Sequence, residues 1–242
     1  MRAYKFLALD AVGRFSEFRW PLPAGREPGV WVEADAELDV CRHGIHACRA
    51  DQLLDWIDDE LWEIELGGEL VESDTMLVAQ RGRLLRRVDA WDGGAAHEFA
   101  DVCVWRARDH ALRSLRRVGL TRSSERLVGA VELGELQAGA VSALERSDGA
   151  AAELSGLAAD AVSLAQGRRP EMWDPAEPAV LSEPLETPGA IAANLGFVVA
   201  HAAGREAVAA TGSEAAYGGG LAAERQWQLG WLVERLGIRT DG

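Results

Sequence analysis

Two of the three cysteines and two of the five histidines lie close together, in the segment from Cys41 to Cys48. Imidazole gains or loses a proton near neutral pH and a thiolate is a strong nucleophile, so this segment could support acid–base or nucleophilic catalysis. If residues 44 to 48 form a strand, His46 and Cys48 share one face because side chains alternate along a strand. We therefore predict His46 and Cys48 as catalytic residues, with a buried thiol beside a hydrogen-bonded histidine as the structural alternative.

Zinc is the metal that cysteine and histidine ligands favour, but the segment from Cys41 to Cys48 is too compact for it. Structural zinc sites normally take two close pairs of ligands from segments a dozen or more residues apart. A second candidate is the pair His97 and Asp101, which share one face if they lie on a helix. Acidic residues are also favoured in the first turn of a helix, which explains this pair without a ligand. We expect no bound metal and no cofactor.

Charged residues on either side of the Cys41–Cys48 segment are candidates for substrate binding. Asp35 and Glu37 precede it and could line a site for an amine, because neighbouring carboxylates repel each other unless a cation lies between them. Arg81 and Arg83 follow it and share one face if their segment is a strand, so that they could hold a sulfate, phosphate or carboxylate group. The alternative for both pairs is a solvated surface, where most charged side chains lie.

Tryptophan is abundant, with nine in the chain, and Trp20 and Trp31 lie near the same part of the sequence. Most tryptophans build the core, but a large ring beside a pocket can hold a ligand and exclude water. We predict Trp20 and Trp31 as substrate-binding residues. Trp20 belongs to an aromatic, proline-rich and glycine-rich loop over residues 15 to 29, which we expect to form a lid or to pack on the sheet.

Hydrophobic periodicity predicts short strands and one helix before Trp91, and mainly helices after it. The predicted strands are 4–9, 30–33, 45–48, 61–66, 75–79 and 84–88, and the early helix is 50–57. The later helices are 98–117, 124–145, 149–166, 191–210 and 221–236, with an extended, proline-rich connector at 168–189. The predicted fold class is α+β: a small, mostly antiparallel sheet with one helix, residues 1–91, packed against a helical portion, residues 92–242, in one compact unit.

The acidic composition argues against nucleic acid as a binding partner. The net charge is -14, from 25 Lys and Arg against 39 Asp and Glu, and such a chain repels phosphate backbones, so nucleic acid is disfavoured. Apolar runs stop short of the roughly 18 to 20 residues of a membrane span. The N-terminal segment has no apolar block typical of an export signal, so we expect a cytoplasmic protein with reduced thiols and no membrane partner.

Several segments together resemble a group of uncharacterised proteins common in actinobacteria. They are the Tyr-Lys-Phe-Leu segment at 4–7, the aromatic segment at 15–21, the Gly-Ile-His-Ala-Cys segment at 44–48, the Leu-Trp-Glu-Ile-Glu-Leu segment at 61–66 and the late helix at 224–232. This resemblance extends over most of the chain and implies no particular activity.

Residues 44 to 74 are also similar to ADP-ribosyltransferase-like folds, in which a strand, a helix and a second strand line the NAD cleft. That resemblance places His46 where the family often has tyrosine, and Lys5 where its first strand has histidine or arginine. A further likeness is to tailoring proteins of aziridine-containing antibiotic pathways. It implies closure of a strained nitrogen ring by displacement of an activated oxygen.

Three hypotheses about function follow. The leading one is a small-molecule-binding protein that takes a polar metabolite, as a tailoring enzyme of specialised metabolism in which an amine displaces sulfate or phosphate in ring closure. In it His46 acts as the acid or base, and Arg81 and Arg83 bind the anion. The alternatives are a degenerate NAD-binding transferase, and a non-catalytic subunit that docks a partner enzyme through helix 221–236.

Overall fold

The computed structural model of the protein describes residues 1–34, 37–40, 42–168 and 187–238. The chain divides into two compact units, which we call the sheet unit and the helical unit. The sheet unit consists of residues 1–96 and 229–242, and the helical unit of residues 97–228. The first boundary lies close to the predicted one after Trp91, whereas the grouping of the last residues with the sheet has no signal in the sequence.

The described residues of the sheet unit form five strands, all paired in the antiparallel direction. They are β1 (Arg2–Leu7), β2 (Val32–Glu33), β3 (Ile45–Ala47), β4 (Glu60–Glu72) and β5 (Leu77–Arg87). The two predicted strands at 75–79 and 84–88 are one continuous strand, β5, and the strand predicted at 61–66 continues through two glycines to the end of β4. The predicted α+β class is confirmed.

The strands close into a ring. β4 pairs with β1 on one side and β5 on the other, and β5 also pairs with β2 and β3. Directly after β3, Cys48 exchanges two backbone hydrogen bonds of 2.8 Å with Tyr4 of β1, so the pairing returns to its first strand. The ring encloses an apolar core built from Ala3, Leu7, Ala11, Trp20, Ile45, Ala47, Trp62, Ile64, Leu66, Leu77, Ala79 and Leu84.

Gly82 of β5 leaves room for side chains of two neighbouring strands. A Cβ on Gly82 would lie 2.7 Å from Cγ2 of Ile45 and 3.1 Å from Cδ1 of Ile64, closer than normal van der Waals contact.

The helix predicted between β3 and β4 is a 3-10 helix, Ala50–Trp56, with Leu53 and Leu54 buried. The core of the sheet unit thus combines small and branched side chains with the two large rings of Trp20 and Trp62.

The α-helices of the described residues are α1 (Gly93–Arg117), α2 (Thr121–Gly129), α3 (Leu133–Leu144), α4 (Gly149–Ala165), α5 (Pro188–Thr211) and α6 (Tyr217–Leu236), and two short 3-10 helices cover Leu9–Ala11 and Glu214–Ala216. The single helix predicted at 124–145 is two helices, α2 and α3. The predicted connector at 168–189 lies mostly outside the described residues. None of the helices in the described part of the chain is long and apolar enough to cross a membrane.

Candidate functional site

Lys5 is the single lysine of the chain, since the other 24 of its 25 basic residues are arginines. It lies on β1 between Ala3 and Leu7, both of which belong to the core inside the ring of strands. Because alternate side chains of a strand share a face, Lys5 is directed toward that core. Its ammonium group donates a hydrogen bond of 2.5 Å to the backbone carbonyl of His46 and lies 5.1 Å from the centre of the Trp20 ring.

Burial lowers the pKa of Lys5 to about 8, and a weaker interaction with Cys48 opposes that shift. In the described part of the chain no carboxylate offsets the charge of Lys5. At pH 7 a lysine with this pKa is neutral about 300 times more often than an exposed lysine with the usual pKa of 10.5. An amine of this kind can act as a base or nucleophile, which an arginine cannot.

His46, the predicted acid or base, contributes to this site through its backbone. Its neighbours Ile45 and Ala47 lie in the core, so alternation places the imidazole on the opposite face of β3. Burial and then the charge of Lys5 lower the pKa of His46, against a backbone hydrogen bond to Gly44. The Nε2 atom of His46 is buried and has no hydrogen-bond partner among the described residues.

Cys48, the predicted nucleophile, is only 1% exposed. Burial raises the pKa of its thiol to about 12, although Lys5 acts in the opposite direction. The sulfur lies 3.5 Å from the carbonyl oxygen of Tyr4, to which the thiol donates. This environment favours the thiol over the thiolate, so it argues against a nucleophilic role.

Cys48 and Cys103, both buried and unpaired, are expected to resist alkylation in the folded protein. Burial raises the pKa of each thiol. We expect iodoacetamide at pH 8 to modify both at least about 100-fold more slowly than in the protein unfolded in urea. Mass spectrometry of the separate peptides measures each cysteine, including Cys41. Rapid alkylation of Cys48 without unfolding would restore it as a candidate nucleophile.

Three of the predicted substrate-binding residues form one stacked group. The guanidinium carbon of Arg81 lies 4.8 Å, and that of Arg83 4.6 Å, from the centre of the Trp31 ring. Glu65 accepts a hydrogen bond of 2.8 Å from Arg83, and Glu33 lies 3.9 Å from Arg81. The structure therefore brings Trp31, Arg81 and Arg83 together, but it offsets both positive charges with carboxylates of the same sheet.

The other predicted residues lie apart from this group or outside the description. Trp20 is buried in the core beside Lys5, Glu37 is exposed, and Asp35 lies outside the described residues. His97 and Asp101 are both exposed on α1. Within the described ranges, no group of three or more His, Cys, Asp or Glu side chains is placed to hold a metal ion.

The helix predicted to dock a partner, 221–236, is the main part of α6. Of its apolar stripe, Leu232 and Leu236 are buried, Trp231 is half-buried and Trp227 is 37% exposed. The guanidinium carbon of Arg106 lies 3.6 Å from the centre of the Trp227 ring and covers part of it. Most of the stripe is thus used within the protein itself.

Comparisons of the chain with protein-family models, with curated proteins and with solved structures find no match. The class of protein is therefore defined by the fold and the site alone: an α+β protein with one partly buried lysine inside a ring of antiparallel strands. The sequence analysis named Lys5 only through the resemblance to ADP-ribosyltransferase-like folds and did not predict it as a base. The signal that could have found it is its uniqueness among 25 basic residues.

Proposed function

We propose that the protein is an enzyme that binds a small polar metabolite beside Lys5 and uses the neutral Lys5 amine as a general base. The observation that carries the proposal is that the chain's single lysine is half-buried and directed toward an apolar core, where the carbonyl of His46 accepts its hydrogen bond. Keeping an ammonium group there costs stability, and such a cost is typical of a functional position. Trp20 covers the amine and excludes water from one side.

The reaction class is ring closure in specialised metabolism, in which an amine of the substrate displaces its own sulfate or phosphate group. The substrate ammonium gives one proton to the Lys5 amine, and the freed lone pair attacks the carbon that bears the leaving group. A carbon–nitrogen bond forms while the carbon–oxygen bond breaks, so sulfate or phosphate departs with the bonding electrons. The Lys5 ammonium then returns its proton to water. A base whose pKa lies near the working pH suits this transfer.

Titration of Lys5 tests the base directly. Lysine labelled with 13C at Cε gives one side-chain signal, because the chain has one lysine. We expect its chemical shift to titrate with a midpoint near pH 8, since burial disfavours the ammonium form. The same titration in urea gives the matched unfolded reference. A midpoint near 10.5 in the folded protein would remove Lys5 as a base at neutral pH.

A ring-closure assay tests the reaction. The probe is 2-aminoethyl hydrogen sulfate, whose closure releases sulfate and aziridine, and both products are measured by NMR and ion chromatography. We expect sulfate release at pH 8 to exceed the uncatalysed rate and to be lost in Lys5→Met. Arg2→Met, an exposed change on the same strand, should leave the rate unchanged. Equal rates for Lys5→Met and the native protein would exclude the role of Lys5.

A further inference from the structure

A cleft in the helical unit, separate from the Lys5 site, collects positive charge. It lies between α2 and α3, has a volume of about 390 Å³, and is lined by Arg122, Ser123, Arg126, Gly139, Ser142 and Arg146. Arg122 and Arg126 are one helical turn apart on α2, so they share a face. Ser142 lies in the last turn of α3, and Arg146 follows four residues later, just beyond the end of that helix. The lining therefore combines three guanidinium groups with two hydroxyl groups.

Two of these arginines meet at one oxygen atom. Arg126 donates a hydrogen bond of 3.0 Å to Oγ of Ser142, and Arg146 donates a second, short one to the same atom. Both lone pairs of the Ser142 hydroxyl are thereby used, while its own hydrogen stays available as a donor. The hydroxyl and the two guanidinium groups thus present several donors and no strong acceptor at one place.

The positive charge of this cleft is not offset by a carboxylate of the described residues. Among the described residues, no carboxylate forms an ion pair with Arg122, Arg126 or Arg146, whereas Arg83 and Arg86 of β5 each pair with a glutamate. Like charges that share a hydrogen-bond acceptor repel each other unless an anion lies between them. In a chain with a net charge of -14, three arginines in one cleft without a paired carboxylate among the described residues are a local exception.

Gly139 gives the cleft its shape. It is buried on α3, and a Cβ there would lie 3.0 Å from Cδ2 of Leu127 and 3.4 Å from Cγ of Arg126. The absence of a side chain lets the stem of Arg126 lie close against α3. The guanidinium group of Arg126 can then reach Ser142 across the space between the two helices.

We propose that this cleft binds the phosphate or sulfate group of a small molecule, free or as a monoester. Guanidinium groups bind such oxyanions with two parallel hydrogen bonds, and the Ser142 hydroxyl supplies a further donor. The cleft is larger than an inorganic anion, so it leaves room for the organic part of an ester. This inference does not rest on the role of Lys5, because it uses other residues in the other unit.

Isothermal titration calorimetry of the full chain at low ionic strength tests the site. The probes are inorganic phosphate, phenyl phosphate and phenyl sulfate. We expect a Kd in the millimolar range or tighter, weakened at least about tenfold in both Arg126→Leu and Arg146→Leu, because each removes a charge-assisted pair of hydrogen bonds. Ser142→Ala should weaken binding less, since it removes one donor.

Arg116→Leu is the matched control. It removes the same charge from an exposed position on α1, and it should bind the probes as the native protein does. Tighter binding of the phenyl esters than of phosphate assigns the site to an ester, and equal binding assigns it to the free anion. The proposal is overturned if none of the probes binds at about 10 mM, or if Arg116→Leu weakens binding as much as Arg126→Leu does. Circular dichroism verifies that each variant keeps its helices.

Discussion

Replacing Arg106 with leucine is expected to lower the free energy of unfolding by about 3 to 5 kcal/mol, because it leaves a buried carboxylate without its main partner. Glu224 of α6 has a side chain only 2% exposed, and Arg106 of α1 donates to its two oxygens at 2.6 and 2.5 Å. Urea denaturation followed by circular dichroism measures the loss. A loss of unfolding free energy below about 1 kcal/mol is the range of exposed ion pairs, and it would contradict the role given to the Arg106–Glu224 pair.

His110 is a further member of the hydrogen-bond network around Glu224, and its contacts show which of its ring nitrogens carries the hydrogen. Arg113 lies 2.7 Å from Nδ1 of His110, and because arginine only donates, Nδ1 is the acceptor. The Nε2 atom therefore carries the hydrogen and donates it to Glu224 at 3.4 Å. This weaker contact cannot replace the two bonds from Arg106, which is why the loss in Arg106→Leu stays large.

Two further variants separate the cost of an unpaired charge from that of lost packing. Arg108→Leu removes a neighbouring arginine whose pair, Asp109, is 46% exposed, so it should cost less than about 1 kcal/mol. The double replacement Arg106→Leu with Glu224→Leu should recover most of the loss, because no buried charge remains. If the double variant is as unstable as Arg106→Leu alone, lost packing around Trp227 explains the effect instead.

The carboxylate of Glu224 also makes the free energy of unfolding depend on pH in the acidic range. Burial alone would raise the pKa of Glu224, but hydrogen bonds from Arg106 and His110 outweigh it and lower the pKa to about 2. Because the folded pKa is below the unfolded one, the stabilisation is complete above pH 4.5 and is lost as the pH falls toward 2. We expect about 3 kcal/mol of acid-dependent stability in the native protein and much less in the double variant.

Local sequence patterns predicted the class of fold because they are set by neighbouring residues. The alternation in β1 and the helical spacing of α1, α4 and α5 needed no knowledge of distant contacts. Closure of the ring depends on the pairing of Tyr4 with Cys48, which brings together residues far apart in sequence. No periodicity encodes such a pairing, so a ring could not be distinguished from an open sheet.

The candidate site was predicted only in part, for a related reason. The segment around His46 does lie at the site, and Trp20 contacts Lys5 there. Residue types suggested the imidazole and the thiol as the reactive groups, whereas burial favours the neutral thiol of Cys48 and alternation turns His46 away from the core. Which group is reactive depends on its solvation, and solvation follows from the folded structure.

Replacing Lys5 with methionine is expected to stabilise the protein at pH 7 by about 2 kcal/mol while removing its base. The pKa of Lys5 in the folded state, about 8, lies below the usual lysine pKa of 10.5, so the folded state holds this proton less well than the unfolded chain does. The shift alone corresponds to about 3.4 kcal/mol, which we reduce because Lys5 is only half-buried and its ammonium is partly screened. Thermal and urea unfolding at pH 7 measure the gain.

The dependence on pH identifies the cause of this gain. Below pH 8 the native protein bears the full cost of the buried ammonium, and the cost disappears as the pH rises toward 10.5. The advantage of Lys5→Met should therefore shrink over that interval. The raised pKa of Cys48 makes both proteins less stable with rising pH, so only the difference between them reports on Lys5.

Arginine at the same position provides the opposite control. Its guanidinium group stays protonated at all these pH values, so Lys5→Arg should be destabilised throughout and should gain nothing near pH 10. Stabilisation by methionine and destabilisation by arginine would mean that the ring tolerates an apolar side chain at position 5 better than a cation. Lys5 would then lower the stability of a chain whose other basic residues are all arginines. Its presence is explained by its proton, because a lysine, unlike an arginine, can release one near neutral pH. If Lys5→Met is instead less stable than the native protein at pH 7, the hydrogen bond to His46 and the contact with Trp20 outweigh the cost of burial, and Lys5 is a structural residue.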